Sequence, residues 1–289
     1  MARLVVLPCV DREELARRWQ RELRLPRDRA AQLGQSAVEI VRLGGYRARS
    51  GDLVDLRDRI ERAIAARVSI PPDAVLPAGS RKAVPETVVQ VRNETTAGAA
   101  RRLVERGLRP LALSFANGIH PGGGFLSGAR AQEEGLCRSS ALFATLEGDP
   151  MYEAHRRRHD VESSDWAILS PDVPFFRADD GEPLDEPWLL SVITCAAPVA
   201  TRVGQPRSGD LLAARIRRTL GIAAAWGYES LVLGAWGCGA FGNDPERTAR
   251  DFRAALEGPF AGAFREVVFA ITDWSPERRT LGPFRDVFR

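Results

Sequence analysis

Two adjacent carboxylates, Glu133 and Glu134, follow shortly after a run of three glycines, Gly122, Gly123 and Gly124. Glycine lets a backbone approach a ligand where any side chain would collide, and it tolerates positive φ. A loop built for close contact that ends in carboxylates points to acid–base chemistry on a bound polar ligand. Asn117 opens the stretch, Gln132 directly precedes the two acids, and a helical pattern starts just after them at Gly135. The competing reading is two solvated glutamates in the first turn of a helix. The glycine triplet and its spacing weigh against that.

A second glycine cluster, Gly234, Gly237, Gly239 and Gly242, lies just ahead of a helical pattern that starts at Pro245. Exposed N–H groups in such a turn, together with the positive end of a helix, make a nest for phosphate. No Gly-Lys-Ser/Thr follows, so it is not a Walker loop, and a dinucleotide fingerprint belongs at the first strand of its sheet. Tight strand-to-helix packing is the alternative use of these glycines. Trp236 and Phe241 stack on a sugar or base, or else belong to the core.

The other reactive side chains carry less. His120 falls within the first loop, where a structural hydrogen bond is the simpler role. His155 and His159 form an i, i+4 pair beside Arg156, Arg157 and Arg158. With no third ligand evident, a solvated helix face is expected rather than a metal site. Cys9, Cys137, Cys195 and Cys238 are far apart, show no metal spacing and have no base beside them in sequence. They read as reduced thiols, with Cys195 a buried small residue.

The elements that must position these groups follow from periodicity. Residues 11 to 67 read as helical, with Asp11 and Glu14 resembling a capping box and Leu15, Trp19 and Leu23 on one face. Pro26 interrupts and Gly44-Gly45 closes the second helix. Val54, Ile60 and Ile64 suggest a third, and a proline-rich connection runs from Pro71 to Pro85. From Thr87 onward strands alternate with helices. Strands are expected at 87–92, 110–116, 167–170, 189–194, 230–234 and 266–272. Helices are expected at 96–106, 135–146, 211–226 and 245–256. That alternation predicts a three-layer α/β/α sandwich around a mixed sheet. The division expected is a helical accessory region over 1–80 and a catalytic domain over 81–289. Both glycine loops then fall at carboxyl ends of strands, where such sheets bind ligands.

Length and composition suit a globular protein of 289 residues. The net charge of +3 is too small to argue for duplex nucleic acid. Lys82 is the only lysine, a bias best explained by a GC-rich genome. The N-terminus lacks a secretory pattern and no run is long enough to span a membrane, so a cytoplasmic monomer with no membrane partner is expected.

Gly122-Gly123-Gly124, seven residues, then Gln132-Glu133-Glu134 resembles the signature of the poly(ADP-ribose) glycohydrolases, or PARGs. The Gly234–Asn243 stretch looks like the diphosphate loop of the macrodomain fold that these enzymes share. The layout of an N-terminal helical extension before a macrodomain resembles the bacterial-type branch. The motif order covers roughly residues 85 to 275. The resemblance implies hydrolysis of ribose–ribose O-glycosidic bonds in poly(ADP-ribose), mainly from chain ends, with ADP-ribose as product and no cofactor or metal. It makes Glu134 the catalytic acid/base and has Glu133 orient the scissile ribose. It lets Gly122, Gly123 and Gly124 close over that ribose, with Gln132 beside it. Gly237, Cys238, Gly239, Ala240, Phe241 and Gly242 would cradle the diphosphate, with Phe241 and Asn117 on the terminal ribose. The segment from Val91 to Thr95 takes the place of the adenine contact, with no single residue assigned.

The chemistry agrees with this. Cleaving a glycoside requires protonation of the departing oxygen and stabilisation of an oxocarbenium-like centre. Adjacent residues project in different directions, so Glu133 and Glu134 are not the flanking pair of most glycosidases. A one-glutamate scheme fits better, in which Glu134 gives a proton and then takes one from water. Burial and Glu133 would raise the pKa of Glu134, whereas the helix end would lower it, and the sequence leaves that balance open. Three other functions stay open as well. They are a hydrolase of ADP-ribose linkages on protein or nucleic-acid ends, a non-catalytic ADP-ribose reader, and a metal-dependent nucleotide-binding enzyme.

Overall fold

A computed structural model of the chain describes residues 2–78, 83–158 and 162–289. The chain begins with β1 (Arg3–Val6), α1 (Glu13–Leu23), α2 (Arg27–Leu43), β2 (Gly45–Arg47), β3 (Leu53–Asp55), α3 (Arg57–Ala66) and β4 (Val68–Ile70). Next are β5 (Glu86–Arg92), α4 (Thr96–Glu105), β6 (Pro110–Ala116), a 3-10 turn at Phe125–Ser127, α5 (Gln132–Ser139), α6 (Leu142–Leu146) and α7 (Pro150–Arg158). The remainder comprises β7 (Ala167–Arg177), β8 (Pro183–Ala196), α8 (Ala200–Val203), α9 (Arg207–Ala225), β9 (Ser230–Leu233), α10 (Pro245–Glu257), β10 (Glu266–Ala270) and α11 (Leu281–Val287).

Eight strands form one sheet in the order β1-β5-β10-β9-β6-β8-β7-β4. Only β7 runs against the rest, antiparallel to both β8 and β4. Successive side chains of a strand point to opposite faces, so a strand covered on both sides is apolar throughout. Leu111 and Leu113 of β6, and Val267 and Phe269 of β10, enter the core beneath α9, α10 and α11. Ala112, Val268 and Ala270 enter the opposite core, with α2 to α7. The result is the expected three-layer α/β/α sandwich with a mixed sheet.

The residues ahead of position 80 are less separate than their helical pattern implies. They supply α1 to α3, and they also supply β1 and β4, which take the two edges of the main sheet. These strands have four and three residues, too short to show a period. Asp11 does not cap α1. Arg12 takes that position without a capping bond. Asp11 instead accepts from Arg278 Nε at 2.8 Å and from Asn93 Nδ2 at 2.9 Å. A charge-assisted bond to a half-buried guanidinium is stronger than a local cap.

Other boundaries shift too. Val54 lies in β3, and α3 starts only at Arg57. The helix expected over 135–146 starts at Gln132 and breaks between α5 and α6, where Ser140 is extended (φ −149°). Strands β7 and β8 are far longer than their apolar cores, because they continue as a hairpin past the sheet. Among the described residues, no helix is long and apolar enough to cross a membrane.

Candidate active site

β6 delivers the first half of the site. It lies between β9 and β8, and its carboxyl end opens directly into Asn117. The Asn117 Oδ1 accepts from the amides of Ile119 at 2.9 Å and His120 at 3.0 Å, a side-chain-closed turn of the kind asparagine favours. The chain then turns through Gly122 (φ +68°) and Gly123 (φ +59°), with Gly123 N donating to His120 O at 3.0 Å. Left-handed backbone is the first reason for glycine here. The second is room, since a Cβ on Gly123 would collide with the Glu134 carboxylate and stand 3.0 Å from Glu133 Oε2. His120 joins this turn through its backbone, while its side chain is exposed.

α5 delivers the second half. Acidic residues suit a helix N-terminus, and both glutamates fall in its first turn. They are not solvated: Glu133 is 2% and Glu134 8% exposed. The Gln132 amide anchors the turn to the sheet, accepting from Phe115 N at 2.9 Å and donating to Leu113 O at 2.8 Å and Thr96 Oγ1 at 3.1 Å. These bonds to β6 start the helix three residues before its apolar pattern. They also commit the side chain that the resemblance brought to the substrate.

The two carboxylates are adjacent in sequence but separately held. Glu133 Oε2 accepts from Asn117 N at 2.7 Å, and Glu134 Oε1 accepts from Gly124 N at 3.0 Å. The other oxygen of each, Glu133 Oε1 and Glu134 Oε2, is buried with no protein partner among the described residues. Burial drives the pKa of Glu133 well above the usual carboxylate range. The N–H groups of Asn117 and Gly122 oppose that rise, and the charge of Glu134 adds to it. Below them Cys137 is fully buried, and burial pushes its thiol well up, as expected for an inert cysteine. Cys195 and Cys238 are pushed up to about 12 by the same cause.

The second glycine loop leaves β9 and reaches α10. Gly237 (φ +76°) and Gly242 (φ +71°) are left-handed, and Asn243 Nδ2 ties the loop to Pro198 O at 2.8 Å. Among the described residues, the amides of Gly239, Ala240 and Phe241 donate to no protein group, which leaves a nest of consecutive N–H groups. The helix end contributes less than expected, since the Asp244 carboxylate already accepts from Glu246 N at 2.9 Å and Arg247 N at 3.4 Å. Trp236 is entirely core, whereas Phe241 is half-buried against the core edge.

Between the two loops and α1 lies a cavity of about 580 Å³, lined by residues that include Leu23, Leu33, Thr95, Phe115, Gln132, Gly239, Ile271 and Trp274. Its wall carries Asp179, whose carboxyl burial pushes up to about 6 despite a hydrogen bond from Thr95 Oγ1 at 2.6 Å. The cavity includes Glu94 and Thr95 of the segment expected to contact adenine. Asp179 and Trp274 come from distant parts of the chain, and no local signal marks them.

His155 corrects the expectation of a solvated helix face. It is 2% exposed, its Nδ1 is 2.8 Å from Gly118 O and its Nε2 is 2.6 Å from Ser164 Oγ. The ring therefore fastens α7 to the peptide next to Asn117. His159 lies outside the described residues. Among the described residues, no group of three His, Cys, Asp or Glu side chains is arranged to hold a metal ion.

Comparison with known proteins gives a consistent result. The family described as microbial-type PARG, catalytic domain, matches residues 34–178. Among solved structures, the chain is similar to poly(ADP-ribose) glycohydrolase from Thermomonospora curvata bound to the inhibitor ADP-HPD, at 41% identity and a TM-score of 0.84. The match covers 90% of this chain and 99% of that one. It is also similar to poly(ADP-ribose) glycohydrolase from Deinococcus radiodurans in complex with ADP-ribose, at 38% identity and a TM-score of 0.71. That match covers 79% of this chain and 96% of the other. No curated protein matches.

Proposed function

Because the chain belongs to the microbial-type poly(ADP-ribose) glycohydrolases, we propose that it frees ADP-ribose from chain ends with Glu134 as the single acid and base. The observation that carries this reading is the separate holding of two buried carboxylates. Each has one oxygen fixed by a loop amide and one without a protein partner.

In this scheme the polymer's terminal diphosphate lies on the amides of the Gly237–Gly242 loop, with Phe241 and Asn117 against the terminal ribose. The adenosine enters the cavity of about 580 Å³, a volume within the usual range for small-molecule sites. Glu133, whose Oε1 has no protein partner among the described residues, accepts from a hydroxyl of the scissile ribose and orients it, and that bond would offset part of the cost of burying its ionised form. Glu134 gives its proton to the departing ribose oxygen as the bond from that oxygen to the anomeric carbon breaks. A water then forms the new bond to that carbon and returns a proton to Glu134. The nearby diphosphate offsets positive charge on the sugar in between. Leu23, Arg24 and Leu25 wall the cavity on one side, which supports cutting at ends rather than within chains.

The test is ADP-ribose release from purified polymer by Glu134→Gln, with ADP-ribose binding followed by calorimetry. The scheme expects binding kept and release lost. Release close to the unmodified rate would contradict it.

A further inference from the structure

Gly34 stands in the middle of α2, a position where glycine is a poor helix former. It is buried, with Ala30, Leu33 and Ala37 on the same face. A Cβ there would stand 2.5 Å from Phe125 O and 3.0 Å from Phe125 C, closer than backbone and side chain can approach. Helix and catalytic loop therefore meet backbone to backbone. Gly128 makes the reciprocal contact about two turns back along α2: its φ is +82°, and a Cβ on it would collide with the Arg27 carbonyl.

Two hydrogen bonds fasten this contact at the N-terminal end of α2. Arg27 Nε donates to Ser127 O at 3.0 Å, and Arg130 Nη1 donates to Leu25 O at 2.7 Å. Farther along, the buried Arg177 of β7 donates to Leu33 O at 2.9 Å, Ser36 Oγ at 2.6 Å and Arg138 O at 3.0 Å. One guanidinium thus joins α2 to the last turn of α5. The whole stretch from Gly124 to Ser139, catalytic carboxylates included, is braced against a helix from the N-terminal region.

The Phe125 carbonyl is one residue from the Gly124 amide that holds Glu134 Oε1. The short turn between them is closed by Phe125 N to Gly122 O and Ala129 N to Gly124 O, so a push on the carbonyl reaches the amide. We propose that α2 is the fixed back wall that places Glu134, and that Gly34 is a positioning residue for the reaction although it touches no substrate. The proposal rests on Glu134 as the acid and base. It gives the N-terminal region a part in catalysis beyond walling the cavity.

The experiment measures kcat and KM on polymer, together with thermal unfolding, for Gly34→Ala, Arg27→Ala and Glu134→Gln. A displaced catalytic group loses rate more than binding, so Gly34→Ala is expected to lower kcat about 10- to 100-fold with KM changed less than about threefold. Arg27→Ala removes one tether without adding bulk and is expected to lower kcat by about threefold in the same pattern. Folded Gly34→Ala with unchanged kcat, or with only its unfolding temperature lowered, overturns the proposal. Should that variant not fold, unchanged kcat in Arg27→Ala overturns it. An active Glu134→Gln instead overturns the acid–base reading itself. An inactive Glu134→Gln beside a fully active Gly34→Ala sinks only the role of α2.

Discussion

Gly124 and Glu134 are joined by a 3.0 Å hydrogen bond from backbone amide to Oε1. This bond fixes one carboxylate oxygen and leaves the other without a protein partner. A Cβ on Gly123 would collide with that same Oε1, so the bond depends on Gly123 having no side chain.

Gly123→Ala should therefore be among the most damaging single-methyl changes in the chain. The added Cβ meets the Glu134 carboxylate, and the residue must also hold φ +59°. Left-handed strain of about 1–3 kcal/mol is expected in unfolding experiments. The larger effect is on rate, a fall in kcat of about 100-fold or more as the carboxylate moves. Steady-state kinetics on polymer would show it.

Gln132 should behave as an anchor. Its amide makes three bonds to β6 and Thr96, so Gln132→Ala strands partly buried backbone groups and should lower stability by about 1–3 kcal/mol. Calorimetric affinity for ADP-ribose should change little in the folded variant. A large loss of affinity with no loss of stability would return the residue to the substrate.

Two buried carboxyls should make stability depend on pH. Burial raises the folded pKa of Glu133, and it raises that of Asp179 from 3.8 to about 6. A raised folded pKa means that the native state holds its proton more tightly than the unfolded chain does. The associated stability is present below the unfolded pKa and is lost as pH rises through the folded one. For Asp179 that window runs from about pH 4 to pH 6. Asp179→Asn and Glu133→Gln should thus raise the melting temperature more at pH 8 than at pH 4. Glu133→Gln should lose activity at both.

Phe241 should act on binding more than on chemistry. It is half-buried beside the open amides of the second loop. Phe241→Ala should raise KM about tenfold and leave kcat within about threefold, the pattern of a contact made equally in ground and transition states. Initial rates over a range of polymer concentrations separate the two.

Much of the site was legible because its signals are local. Three glycines, a fixed spacing and paired acids lie within one short stretch, and the alternating strands place both glycine loops at strand ends. What stayed hidden depends on distant contacts. No period marks β1 or β4 as sheet edges, and a glycine inside an ordinary helical pattern does not show that Gly34 faces the Phe125 carbonyl. His155 reads as one of a polar run until Gly118 and Ser164 are seen around it. The start of α5 is set by bonds from Gln132 to β6, which no helix pattern contains.

In the proposed reaction Glu134 alone transfers the proton. The most direct test is the single-turnover rate of ADP-ribose release by Glu134→Gln, measured at saturating polymer. Loss of a sole acid and base predicts a fall of about 10³-fold or more, with ADP-ribose affinity retained. Release within about tenfold of the unmodified enzyme, a loss too small for a sole acid and base, would contradict that role and move the proton to another group.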